Sequence, residues 1–156
     1  MTAIDQSQQS HATPITIADP AAVALDPAPI EPAWILEGTP QACAKELARS
    51  ADGTCVVFAW SCTAGRFHWH YGVDETVHVI SGEVFVTTHD GGERRLGPGD
   101  MAFFPAGSSS VWRVPAAVRK LAVCRRALPA PLTLAFRVWI KLVTRIRGAR
   151  GSLQPG

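Results

Sequence analysis

Few features of this 156-residue chain suit an exported or disulfide-stabilised protein. The amino terminus lacks the basic segment and apolar core of a secretion signal, so export is not expected. There is no C-x-x-C spacing among the four cysteines, and most of them lie in apolar surroundings; they are Cys43, Cys55, Cys62 and Cys124. We therefore expect reduced thiols in a cytoplasmic protein.

Acidic residues are missing from the last third of the chain. Residues 1–100 hold all 13 acids and only 5 of the 15 bases, whereas the last 56 residues carry ten bases and no acid. This asymmetry fits a membrane surface, a nucleic acid or the protein's own acidic half as a partner, and does not choose among them. Nucleic acid is not expected, because the basic tail has no recognised binding motif.

The segment Leu132–Arg147 predicts an amphipathic helix. At about 100° per residue, Arg137, Lys141 and Arg145 form one stripe and apolar residues cover most of the remainder. Charges interrupt every apolar run before the ~20 residues that a bilayer span needs, so no crossing is expected. The apolar face suits docking on the folded domain or on a second subunit, or peripheral membrane contact through residues 131–147.

The chain has the length of a single domain. Its composition divides it into three parts. Residues 1–29 are polar and then rich in proline and alanine, which predicts a flexible arm. A folded domain follows over 30–127, and the basic helix and tail occupy 128–156. Near the start of the domain, a Thr-Pro pair before Gln41–Arg49 has the form of a helix start, so a short helix is expected there.

From Thr54 onward, short apolar runs alternate with turn residues. Many short strands with Gly-rich turns and no intervening helices predict an antiparallel sandwich or barrel, an all-β fold. The predicted strands are Thr54–Cys62, Arg66–Tyr71, Glu75–Ile80, Glu83–Thr88, Arg94–Leu96, Met101–Phe104, Ser110–Val114 and Arg119–Arg125.

Two histidines and a glutamate form a candidate metal site. Side chains at i and i+2 of a strand leave the same face, so His68 and His70 point together, and Glu75 opens the next strand. Two imidazoles and a carboxylate suit a divalent first-row metal and leave positions for water or substrate. Alternatively, the three residues are barrel-lining polar groups that hydrogen-bond a substrate or each other.

Residues 65–82 resemble the first motif of the cupins, G-x5-H-x-H-x4-E-x6-G. Both histidines, the glutamate and Gly82 match in register, while Cys62 takes the place of the opening glycine. The stretch Gly99–Val114 resembles the second motif, G-x5-P-x-G-x2-H-x3-N, but Ser110 stands where that motif has its histidine. Short stretches of sequence over about residues 30–127 resemble small single-domain cupins related to the ureidoglycine aminohydrolase cupin domain.

The resemblance implies a jelly-roll-like antiparallel barrel, a homodimer, and a divalent Fe, Mn, Ni or Zn ion at the candidate metal site. It also implies that a metal binds less tightly here than at a complete four-ligand site, because Ser110 replaces the fourth ligand and a neutral hydroxyl is a weak metal ligand. Strand alternation adds candidate substrate-binding residues. Arg66 shares the parity of the two histidines and Trp112 shares that of Ser110.

Three functions follow from these features. One is a metal-dependent cupin enzyme, of hydrolase, isomerase or lyase type, acting on a small polar metabolite. Another is a metal-free cupin that binds or senses a small molecule. The third is a scaffold whose carboxyl-terminal helix binds a membrane or a partner.

Overall fold

The structure, a computed structural model, describes residues 15–127 together with Leu132 and Trp139. Within that part of the chain, nine strands pair into one antiparallel sheet. The strands are β1 (Asp26–Pro27), β2 (Ile35–Glu37), β3 (Ala42–Arg49), β4 (Cys55–His70), β5 (Asp74–Gly82), β6 (Val84–Thr87), β7 (Glu93–Leu96), β8 (Met101–Phe104) and β9 (Ser109–Arg125). A short 3-10 helix, Pro32–Trp34, precedes β2. The predicted all-β, antiparallel fold is confirmed.

Strands β4 and β9 are the longest and form the spine of the fold. Each was predicted as two separate strands, and each runs continuously through a register shift between Thr63 and Gly65. On one side of the shift the pair is flanked by β3 and β5, with β8 beyond β5. On the other side it is flanked by β2 and β6, with β7 beyond β6. The two halves therefore make two layers that share the same two strands.

The register shift reverses which residues of β4 face the interior. Before the shift the buried large side chains are even-numbered, Trp60 and Cys62, and after it the buried one is odd-numbered, Phe67, as is Tyr71 just beyond the strand. In β9 the inward residues stay even-numbered on both sides, from Trp112 to the end of the strand. Simple alternation thus assigns only one half of β4 correctly.

The short helix predicted over Gln41–Arg49 is wrong, because Ala42–Arg49 is strand β3. It pairs with β4 along its length and with the two residues of β1 on its other side. The alanines and the lysine of this segment are good helix formers, but the hydrogen bonds offered by the edge of β4 override that preference.

Part of the predicted flexible arm lies against the domain. The guanidinium of Arg119 donates to the backbone oxygens of Pro20 and Val23, at 2.8 and 2.6 Å. Further along, β1 pairs with β3 and the Ala28 amide donates to the Ala42 carbonyl. The first 14 residues of the arm lie outside the described residues.

The predicted carboxyl-terminal helix also lies outside the described residues, apart from Leu132 and Trp139, whose side chains are exposed. In the part of the chain that is described, no helix has the length and apolar character that crossing a bilayer demands. Docking of the tail and contact with a membrane both stay predictions.

Candidate functional site

The two histidines of the candidate metal site lie on the outer surface. His68 and His70 are both exposed, on the same face of β4, with ring centroids 6.2 Å apart. Their shared face was predicted correctly, but the reversed parity of this half of β4 turns it away from the interior. The rings of Trp34 and His70 make a T-shaped contact, with 5.1 Å between their centroids.

Glu75 lies inside, in contact with a lysine. The residue is buried, and its Oε1 accepts a hydrogen bond from Lys120 Nζ at 2.6 Å. The structure therefore does not bring the three predicted ligands together, and among the described residues no group of three His, Cys, Asp or Glu is placed to hold a metal. The donors present do not fit the metal that the motif implies.

The three candidate substrate-binding residues divide between the two faces. Arg66 shares the outer face of the histidines and pairs there with Glu37, at 2.7 Å. Ser110 and Trp112 both point inward and are buried, as their common parity predicts. Contact of these two with a substrate stays a prediction.

Lys120 and Glu75 form a buried ion pair enclosed by indole rings. The side chains of the pair are 3% and 9% exposed. The ammonium lies over Trp112 at 4.5 Å, over Trp60 at 4.7 Å and over Trp69 at 5.8 Å from the ring centroids. Aromatic faces and a carboxylate all interact favourably with a cation, so the site holds a fixed positive charge beside a fixed negative one.

This ion pair lines a cavity of about 380 Å³. Its walls are mostly apolar, and two of its lining residues, Ala28 and Pro29, come from the amino-terminal segment, where the Ala28 amide donates to the Ala42 carbonyl. The lining residues are Ala28, Pro29, Ala44, Phe58, Trp60, Trp69, Glu75, Lys120, Ala122 and Cys124. An apolar cavity with a few convergent polar groups is the usual form of a small-molecule site.

A hydrogen-bonded group lies behind the indole wall. Trp112 Nε1 donates to the Tyr71 hydroxyl at 2.9 Å and to Ser110 Oγ at 3.1 Å, and the two hydroxyls are 2.9 Å apart. Burial is the main cause that raises the pKa of Tyr71, so the phenol keeps its proton near neutral pH. The ring of Tyr71 stacks on Phe104 at 4.4 Å.

A second cavity, of about 300 Å³, lies on the other side of this group, where Ser110 and Phe104 line it. Trp112 contacts Trp60, in the wall of the first cavity, and Phe104, in the wall of the second, with centroids 6.0 Å apart in both cases. Its indole thus separates the two spaces. Only the first cavity contains the buried ion pair.

The thiol that faces the first cavity is held protonated. Burial raises the pKa of Cys124 to about 11, with a further rise from the nearby negative charge of Glu75. Burial likewise raises the pKa of Cys62, behind the wall, to about 12. A protonated thiol is a poor nucleophile, so neither cysteine supplies thiolate chemistry at neutral pH.

The sequence contained a signal for Lys120 that the motif comparison did not use. Val118 and Ala122 are inward residues of β9, and strand alternation places Lys120 on the same face between them. A charged residue at an inward position of a strand needs a partner, because burying an isolated charge is costly. Glu75 is the matching acid on the neighbouring strand.

Comparison with known proteins agrees with the fold. Residues 49–122 match the family model of the EutQ-like cupin domain. No functionally curated protein matches the chain. Several solved structures are similar, and three of them are informative.

A protein of unknown function of the DUF861 family from Pseudomonas syringae pv. tomato is 22% identical, with a TM-score of 0.63. The match covers 68% of this chain and 46% of that protein, so this chain spans less than half the length of that relative. A putative ethanolamine utilization protein Q from Salmonella typhimurium is 28% identical, with a TM-score of 0.50, over 56% of this chain and 72% of that one.

The polyketide cyclase RemF from Streptomyces resistomycificus is 19% identical, with a TM-score of 0.53, over 74% of this chain and 82% of that one. Identities this low show a shared fold and leave reaction and substrate open. The ureidoglycine aminohydrolase branch and the homodimer stay predictions. Over residues 49–122, just under half of the chain, the sequence is similar to the EutQ-like cupin domain, and the all-β antiparallel fold of the described residues agrees with that similarity.

Proposed function

We propose that this protein is a metal-independent cupin that binds a small, uncharged, carbonyl-bearing organic molecule in the cavity beside Glu75 and Lys120. The observation that carries the proposal is the position of the ion pair, which is withdrawn from bulk water and yet lines an apolar cavity. It corresponds to the metal-free alternative among the three predicted functions.

Stability alone does not account for such a pair. Removing charges from water costs several kcal/mol per ion, and apolar residues of similar volume are often neutral or more stable in the same place. A cavity of this size, near the lower end of the range of about 300–1,000 Å³ for ligand sites, supplies a different reason to keep the pair. The charges can contact a molecule that enters the cavity.

The charges also indicate the ligand's chemistry. Lys120 and Glu75 neutralise each other, so a ligand with net charge would bring an uncompensated charge among indole rings. The ammonium donates to an oxygen acceptor such as a carbonyl. Among the described residues Lys120 is the one hydrogen-bond partner of the Glu75 carboxylate, which leaves Oε2 to accept a hydrogen from the ligand. Flat apolar groups suit the walls formed by Trp60 and Trp69.

Binding is tested with 2-tetralone, a bicyclic ketone, in buffer that contains EDTA. We expect quenching of tryptophan fluorescence with a Kd on the order of 0.01–1 mM, a range typical of small ligands with about ten heavy atoms. The quenching should survive the double substitution of His68 and His70 by alanine.

A matched pair of variants locates the site. Ala44→Leu places a larger side chain in the cavity lining, whereas Ala48→Leu makes the same change on the same strand outside that lining. The first should weaken binding at least tenfold and the second should leave the Kd within a factor of two. Equal effects, or binding that EDTA abolishes and a divalent metal restores, would refute the proposal.

A further inference from the structure

We infer a reaction class for the same cavity: proton transfer at the carbon next to a bound carbonyl, with Glu75 as the base and Lys120 stabilising the enolate oxygen. The inference rests on the proposed function, because it needs a carbonyl compound in the cavity. It adds a chemical step that binding alone does not require.

The distance between the two charged groups suits this step. A carbonyl oxygen about 2.8 Å from Lys120 Nζ lies within about 5.4 Å of the carboxylate, because Nζ and Oε1 are 2.6 Å apart. The carbon next to the carbonyl can then place its hydrogen near Oε2, which is within the reach that a general base needs. Both side chains line one cavity, so one molecule can contact both.

Lys120 is placed to stabilise the charge that develops on oxygen. The ion pair and the indole faces at 4.5 to 5.8 Å hold a cation, and little water surrounds it. Preorganised positive charge in a water-poor site is effective where negative charge forms during a reaction.

The other reactive side chain of the lining does not offer a competing reaction. The pKa of Cys124, raised to about 11, keeps its thiol protonated near neutral pH and prevents thiolate attack on the carbonyl. Among the described residues of the lining, Glu75 is therefore the group that can accept a proton from carbon.

The step is balanced without an added reactant. The C–H bond breaks and its proton goes to Glu75 Oε2, while its electron pair forms the C=C bond of the enolate. The C=O π pair moves onto oxygen, where it is hydrogen-bonded by the Lys120 ammonium. Return of a proton to the same carbon regenerates the ketone, so the net outcomes are hydrogen exchange or epimerisation at that carbon.

The experiment measures exchange of the hydrogens next to the carbonyl of 2-tetralone for deuterium, by proton NMR in D₂O, against buffer alone. We expect the protein to accelerate exchange and Glu75→Gln to lower the catalysed rate at least 100-fold, the range in which a general base contributes. Fluorescence quenching by 2-tetralone should persist in Glu75→Gln within fivefold of the wild-type Kd. The double substitution of His68 and His70 by alanine is the control for imidazole catalysis at the surface and should leave the rate unchanged.

A second variant covers the case in which Glu75→Gln does not fold. Glu75→Asp keeps the charge but withdraws the carboxylate by one methylene, so exchange should fall about tenfold while binding is retained. Absence of 2-tetralone binding to the wild type would overturn the proposed function. Binding without accelerated exchange, or exchange that Glu75→Gln leaves unchanged, would overturn this inference and leave the proposed function standing.

Discussion

Replacement of Lys120 by methionine isolates the energetic coupling in the buried pair. Methionine keeps much of the length of the lysine side chain and removes its charge. The carboxylate of Glu75 then loses the hydrogen bond of 2.6 Å and its neighbouring cation, while it remains 91% shielded from solvent. The variant therefore creates an uncompensated buried charge in place of a compensated one.

Removal of one partner of a buried ion pair typically costs 3–5 kcal/mol. Glu75 also lines the cavity, so water can reach part of its carboxylate, and we expect a smaller loss of about 2–4 kcal/mol in the free energy of unfolding. For a folded domain of this size, such a loss lowers Tm by roughly 10–20 °C.

The assay is urea unfolding of the wild type, Lys120→Met, Glu75→Leu and the double variant, at pH 7. The double variant places apolar groups at both positions and should recover most of the stability lost in either single variant. Strictly additive losses would show that the two side chains are not coupled. A loss below about 0.5 kcal/mol in Lys120→Met would mean that the pair is effectively solvated, and would refute the reasoning behind the cavity site.

Two further predictions concern the turns. Asp52 accepts hydrogen bonds from Ser50 and Thr54, which lower its pKa from 3.8 to about 2, so its contribution to stability is complete above pH 4 and lost as the pH falls towards 2. Asp52→Asn should therefore flatten that part of the pH dependence of unfolding, and an unchanged acid profile would contradict the pKa. Gly82 and Gly99 both have positive φ, but a Cβ at Gly82 would lie 2.0 Å from a backbone oxygen, whereas a Cβ at Gly99 meets nothing. Thermal unfolding should show a loss of at least about 3 kcal/mol for Gly82→Ala and about 1 kcal/mol for Gly99→Ala, and similar losses would contradict the clash.

Local signals in the sequence were sufficient to predict most of the strands and the all-β fold class. Turn residues and alternating apolar runs placed the strands from β5 to β8 within a few residues. Ala42–Arg49 was missed because its residues favour a helix locally, and only the partner strands reveal that it belongs to the sheet. Pairing with residues distant in sequence is not visible in a local window.

The candidate site was predicted less well than the fold, because one register shift in β4 changes which side chains face the interior. Alternation along β4 correctly grouped His68 with His70, but it cannot say which face is the inner one after an irregularity between Thr63 and Gly65. A one-residue change of parity moves a whole set of side chains from the interior to the surface. The motif spacing was intact, yet spacing alone does not specify the direction in which its residues point.

The need to balance buried charges explains which residues occupy the interior. Ser110, which stands in place of the second-motif histidine, is occupied by hydrogen bonds with Tyr71 and Trp112 rather than directed at a metal position. With both first-motif histidines outside, Glu75 is the one residue of the expected ligand set that is buried as a charge. A buried carboxylate needs a cation. Lys120 supplies that cation from within the chain, so binding in the cavity depends on an ammonium–carboxylate pair whose two groups can contact the ligand separately.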